Sequence, residues 1–157
     1  MFMRLLFKQR MFSWLDSYDI YDEAGNTIFT VKGQFSLGKC LKIFDATGNE
    51  IGMLKQKIFT FMPCFEIYIM GEYKGRITKP FTFFRPVFNI DYNGWYVEGS
   101  YWEWDYRILD VMGNCVAQIS KQFGWTDTYV IDVGEKRNTL HSLMLVLAID
   151  AEKASRN

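Results

Sequence analysis

The chain has 157 residues, about one domain's worth, with 18 basic and 18 acidic side chains in balance, so no overall positive charge points to nucleic acid. Hydrophobic residues make up 49% and aromatic residues 18%, which supplies a ring-rich core and excludes a disordered chain. Three scattered cysteines and a single histidine argue against a zinc site and suit a reducing cytoplasm.

Phe2 to Phe7 reads as the first strand, and its apolar run is too short for a signal peptide. It ends at a lysine–aromatic corner, Lys8-Gln-Arg-Met-Phe-Ser-Trp14. Tyr18–Tyr21 and Thr27–Val31 alternate apolar and polar residues around Asp22-Glu-Ala-Gly-Asn26, the pattern of two half-buried strands joined by a turn. The glycine fits the left-handed position of such a turn and the aspartate caps it. A second corner, Lys32-Gly-Gln-Phe-Ser-Leu37, leads to the hairpin Leu41–Phe44, Asp45-Ala-Thr-Gly-Asn49, Glu50–Leu54.

The same phrases continue. Corner Lys55-Gln-Lys-Ile-Phe-Thr-Phe61 precedes the hairpin Phe65–Ile69 and Tyr73–Ile77, turned at Gly71-Glu72. Corner Lys79-Pro-Phe-Thr-Phe-Phe84 precedes Phe88–Tyr92 and Trp95–Val97, turned at Asn93-Gly94. Glu98-Gly-Ser-Tyr-Trp-Glu-Trp104 is a corner without its lysine; Tyr101–Tyr106 within it reads as strand, with Trp102, Trp104 and Tyr106 facing one way and Tyr101, Glu103 and Asp105 the other. A fifth hairpin turns at Asp110-Val-Met-Gly-Asn114, and corner Lys121-Gln-Phe-Gly-Trp125 leads to a last strand, Thr128–Val133. This repeat of about 20–25 residues marks repeated supersecondary units.

One strand, five hairpins and one strand make twelve, spanning about residues 2–133. Pairing first with last removes both sheet edges and closes an antiparallel barrel. A helix over about 139–151, capped by Asn138 or Thr139, carries an unbroken apolar run from Leu143 to Ile149. It is apolar all round yet too short to span a bilayer, where about 20 apolar residues are needed. Twelve strands enclose more space than their own side chains fill, so the helix is expected as the central plug of an all-β domain covering 1–157. Ala151 to Asn157 is expected to fray.

The phrases Lys55–Phe61, Gly75-Arg-Ile-Thr-Lys-Pro-Phe-Thr-Phe-Phe-Arg-Pro86, Asp127–Asp132 and Leu145–Asp150 resemble the LURP-one-related branch of the Tubby C-terminal-like superfamily. The resemblance covers essentially the whole chain. It implies the same twelve-stranded barrel around a hydrophobic helix, and no established enzymology. Tubby proteins bind phosphoinositides through basic residues and phospholipid scramblases share the fold, so the resemblance implies anionic lipid as a partner without assigning residues.

Chemistry has little foothold. His141 lacks a nucleophile elbow and reads as structural. Glu103 and Asp105 beside rings could suit sugar chemistry, but period-two alternation accounts for them. The Asp-x-x-Gly-Asn loops lack the ligand run of a calcium loop. Cys40, Cys64 and Cys115 read as buried, inert thiols. No catalytic residue, metal or cofactor is expected.

Hairpin connectivity puts the Asp-x-x-Gly turns on one rim and the lysine corners on the other. An acidic rim would carry Asp22, Glu23, Asp45, Glu50 and Asp110. A basic rim would carry Lys8, Lys32, Lys55, Lys57, Lys79 and Lys121 as a lipid or polyanion site, with Arg10, Lys39 and Arg85 nearby. The functional expectation is a non-enzymatic binding module that docks on anionic phospholipid headgroups, cytoplasmic and peripheral at the inner membrane face. The alternative is a protein-interaction module using the corner aromatics Phe59, Phe61, Phe83, Phe84, Trp102 and Trp125.

Overall fold

The computed structural model describes residues 2–8, 17–80, 88–124 and 127–155. Arg10, Phe83, Phe84, Arg85 and Trp125, named above at the corners, lie outside these. The twelve expected strands form: β1 (Met3–Lys8), β2 (Ser17–Tyr21), β3 (Thr27–Gln34), β4 (Cys40–Asp45), β5 (Glu50–Gln56), β6 (Cys64–Ile69), β7 (Glu72–Thr78), β8 (Asn89–Ile90), β9 (Tyr96–Ser100), β10 (Asp105–Leu109), β11 (Cys115–Gln122) and β12 (Thr128–Val133). Each is antiparallel to its neighbours, and β1 pairs with β12 from Met3↔Val133 to Lys8↔Thr128, which closes the barrel.

Turn chemistry explains the hairpins. In the first, Asp22 Oδ1 accepts the N–H groups of Ala24 and Asn26, both at 2.9 Å. Asp45 does the same for Thr47 and Asn49, and Asp110 for Met112 and Asn114. Gly25, Gly48 and Gly113 take φ of +87°, +89° and +85°, the left-handed geometry that a Cβ would oppose. These hydrogen bonds also hold the Asp22 and Asp45 carboxyls below the ordinary carboxylate range.

A 17-residue helix, α1 (Thr139–Ser155), threads the barrel. Every residue from Ser142 to Ile149 is buried, packed by inward side chains such as Leu5, Ile43, Leu54, Ile67, Ile108 and Ile131. Thr139 does not cap with its oxygen as acceptor; its hydroxyl donates to Lys136 O at 2.7 Å. Nor does the expected tail begin at Ala151. Ala151, Glu152 and Lys153 are buried, because Lys39 Nζ donates to Ala151 O at 2.5 Å and Lys153 Nζ donates to Tyr101 O at 2.6 Å. The helix therefore enters at the turn rim and ends at the corner rim, anchored there by two lysines.

Two further expectations change. Tyr101–Glu103 is a 3₁₀ turn and Trp104 adopts left-handed backbone (φ 57°, ψ 44°), so the alternation breaks: Tyr101 and Trp104 are buried and Trp102 is exposed. The turn replaces a strand segment because Trp104 must swing inward to stack on Tyr129, with ring centroids 3.9 Å apart. Of the cysteines, Cys40 and Cys64 are buried and burial pushes both thiols up, whereas Cys115 is exposed beside the Asp110 turn.

Candidate docking rim

The corner rim gathers large apolar side chains that the core does not use. Phe35 and Leu37 project from the β3–β4 loop, and Ile58, Phe59 and Phe61 from the β5–β6 loop. Phe59 is 100% exposed and Phe61 92%. Trp102 and Phe123 add exposed rings farther round the rim. The first two loops are held against each other. Gln56 N–H donates to Lys39 O at 2.7 Å, and Lys39 N–H donates to Gln56 Oε1 at 2.9 Å. Gly38, at φ +87°, allows the approach; a Cβ there would lie 2.9 Å from Gln56 O and from Ile58 Cγ2. Phe35, Leu37, Phe59 and Phe61 therefore rise from one two-loop platform.

Phe59 holds a second peculiarity. Its φ of +60° is left-handed, a conformation that costs a residue with a Cβ about 1–2 kcal/mol. A strained backbone presenting a fully solvated phenyl ring contributes nothing visible to the fold.

The six lysines expected on the basic rim divide into two sets. Lys32 and Lys55 are exposed on the outer wall near the platform, and Lys57 stands within the β5–β6 loop. The Lys32 ammonium lies 4.9 Å from the Phe44 ring centroid, and Lys55 faces Glu66 across the β5–β6 ladder. Lys8, exposed at the end of β1, donates to Thr128 Oγ1 at 3.0 Å. Lys121 is more restrained, ion-paired to Asp127 at 3.0 Å and lying over Phe123 and Tyr129. Lys79 departs from the expectation altogether. Only 4% exposed, it continues the inward-facing row of Gly75 and Ile77, which turns it away from solvent into the barrel mouth.

Within that mouth Lys79 Nζ lies 5.9 Å from the Phe88 centroid and 5.5 Å from that of Tyr101. Lys153 approaches the same Tyr101 from the helix end, with its ammonium 4.2 Å from the Trp104 centroid. Burial lowers the Lys153 pKa from 10.5 to about 8, Asp150 opposing and Lys121 reinforcing the shift. Neither buried lysine is legible as such, because Lys79 reads as a solvated corner and Lys153 as part of a fraying tail.

The opposite rim is less purely acidic than its turns suggest. Arg4 pairs with Asp132 at 2.6 Å and with Glu23 at 3.8 Å, Lys74 with Glu72 at 3.2 Å, and Arg137 with Glu135 at 2.7 Å. His141 sits there half-buried, 5.7 Å from the Tyr92 ring and 5.9 Å from Trp95, its pKa lowered by burial and then by Lys74.

A model of the family described as LURP-one-related matches residues 3–150. The chain belongs to the LURP-one-related family. It is 30% identical over 147 residues to a Bacillus subtilis protein described as "Uncharacterized protein YxjI", covering 93% of this chain and 91% of that one. The X-ray structure of an Arabidopsis thaliana protein superposes with a TM-score of 0.66 at 16% identity, over 93% of this chain and 89% of the other, a likeness of fold. Among the described residues no helix is long and apolar enough to cross a membrane.

Proposed function

We propose that this LURP-one-related chain is a non-enzymatic module that docks its corner rim on an anionic lipid surface, platform loops first. The observation that carries this reading is Phe59, fully solvated and held in left-handed backbone beside Phe61, Phe35 and Leu37. Backbone strain spent on an exposed ring points to a contact made outside the chain. Lys32, Lys55 and Lys57 flank the platform, the pairing of rings and cations that suits a headgroup layer. Each lysine near such a surface contributes about 1 kcal/mol, so three acting with inserted rings suffice for measurable affinity. The non-enzymatic part of the reading is supported by His141, whose ring packs against those of Tyr92 and Trp95.

Flotation with vesicles of phosphatidylglycerol and phosphatidylcholine tests the proposal. The full chain should float with anionic vesicles at low salt and not with pure phosphatidylcholine. Joint substitution Lys32→Glu, Lys55→Glu and Lys57→Glu should remove the salt-sensitive part of flotation, which is most of it at low salt, without lowering the melting temperature. Asp22→Lys, Asp45→Lys and Asp110→Lys together should not weaken it. Equal flotation of the lysine variant would remove lipid docking and leave the aromatic platform to a protein partner.

A further inference from the structure

The corner rim carries a second set of exposed rings, away from the platform. Trp102 is 46% exposed and Phe123 83%. Between them runs an alternation of rings and ammonium groups. The Lys153 ammonium lies 5.9 Å from the Trp102 centroid and 4.2 Å from that of Trp104. Trp104 stacks on Tyr129, and the Lys121 ammonium lies 5.9 Å from the Tyr129 centroid and 5.3 Å from that of Phe123. Trp104 and Tyr129 are buried, so the exposed ring at each end is backed by groups fixed in the core.

Two features hold this arc in shape. Lys153 Nζ donates to Tyr101 O at 2.6 Å, which ties the turn carrying Trp102 to the end of the plug. Trp104 takes left-handed backbone, so one short turn buries one tryptophan and leaves the other in solvent. Rings held in this way lose little freedom on contact, the advantage of a preorganised surface.

The place of the arc in the barrel gives it a role. The platform belongs to the β3–β4 and β5–β6 loops, whereas the arc sits on the β9–β10 and β11–β12 connections. In the closed strand order β7 and β8 separate the two patches on one side, and β1 and β2 on the other. The patches therefore face each other across the mouth. A flat surface that touches both must lie across that mouth, with the barrel axis near its normal. Tryptophan suits the headgroup level of a lipid layer, having an apolar ring and a polar N–H.

We infer that Trp102 and Phe123 form a second foot on the lipid surface, which seats the barrel upright with its corner mouth against the headgroups. This rests on the docking reading and deepens it, since it fixes how the barrel stands. The lysines of the arc add little attraction, because Lys121 is ion-paired to Asp127 and Lys153 is buried. The foot therefore engages a chain that the platform has already tethered, and its gain is one of avidity.

The probe is a vesicle of phosphatidylglycerol and phosphatidylcholine at low salt, with the phosphatidylcholine brominated on its acyl chains close to the headgroup. Bromine quenches indole fluorescence on contact, and the difference between the full chain and its Trp102→Phe variant isolates the emission of Trp102. That emission should be quenched by the brominated vesicles and not by unbrominated ones. Trp102→Ser with Phe123→Ser should lower vesicle affinity about tenfold, and Phe123→Ser alone, which leaves the tryptophan turn intact, about threefold. The melting temperature should not change in Phe123→Ser. A bound chain with Trp102 unquenched overturns the foot and leaves platform docking standing, as does unchanged affinity in the double variant. Absence of binding to these vesicles overturns both. A melting temperature lowered by several degrees in Phe123→Ser would assign that ring to the fold and likewise overturn the foot.

Discussion

Lys153 shows how one side chain couples the plug to the wall. Its ammonium donates to Tyr101 O and lies over Trp104, while burial favours its neutral form and brings the pKa to about 8. The unfolded chain holds that proton up to about pH 10.5, so between about pH 8 and 10.5 it binds more protons than the folded chain. Stability from this group must therefore rise with pH across that window, by an amount on the order of 2–3 kcal/mol, and be least below pH 8. Tyr92 and Tyr129 act in the opposite sense at higher pH. Burial raises both to about 12, so the folded chain retains protons the unfolded chain releases above about pH 10. Thermal melts of the full chain should show a rise from pH 8 toward 10 and a fall beyond it. In Lys153→Met the rise should disappear and the fall persist; an unaltered profile would show that Lys153 does not titrate in this way.

Elements were the scale at which the sequence spoke most clearly. Period-two alternation fixed strand faces because one face is covered by the plug and a slip of one residue would expose it. The three aspartate turns announced themselves through glycine and a capping carboxylate, both local devices. What stayed hidden needed distant partners. Nothing around Tyr101 signals that Trp104 will stack on Tyr129, so a strand was expected where the chain makes a 3₁₀ turn. The helix end was expected to fray because its anchors, Lys39 and Tyr101, lie more than fifty residues away in the chain. Lys79 was misplaced for the same reason, since its inward row continues past the strand end. The plug itself is the clearest element-scale test. Leu145 and Leu147 are 0% and 1% exposed. Leu145→Ala should cost about 2–5 kcal/mol through the cavity it leaves. Leu145→Asp should prevent folding, because an unpaired charge in that core costs several kcal/mol. Circular dichroism and thermal melts separate the two outcomes; a cooperative transition in Leu145→Asp near the wild-type temperature would mean the helix does not fill the barrel.

At the scale of the whole molecule, antiparallel connectivity sorts two kinds of loop to two ends. Short, self-satisfied turns occupy one rim, and longer loops carrying lysine and exposed rings occupy the other. The acid–base polarity expected between them is blunted by Arg4, Lys74 and Arg137, each paired on the turn rim. Both rims expose large apolar side chains, among them Phe2, Met70, Val111 and Met112 on the turn rim, but the most exposed phenyl rings, Phe35, Phe59, Phe61 and Phe123, stand on the corner rim. Docking through this rim therefore has two separable parts. Lysine attraction is screened within a Debye length, about 8–10 Å near physiological salt and about 3 Å at 1 M, whereas ring insertion is not. Vesicle flotation of the full chain should accordingly fall with salt to a residual level. Phe59→Ser with Phe61→Ser should remove that residue while leaving the salt-sensitive part, and the lysine variant should do the reverse. Phe59→Gly divides the roles further. Relief of left-handed strain should raise stability by about 0.5–1 kcal/mol while the salt-resistant flotation is lost. Were Phe59→Gly to float as well as the wild type at high salt, the strained ring would have no part in docking, and the salt-resistant contact would have to be assigned to Phe35, Leu37 and Phe61.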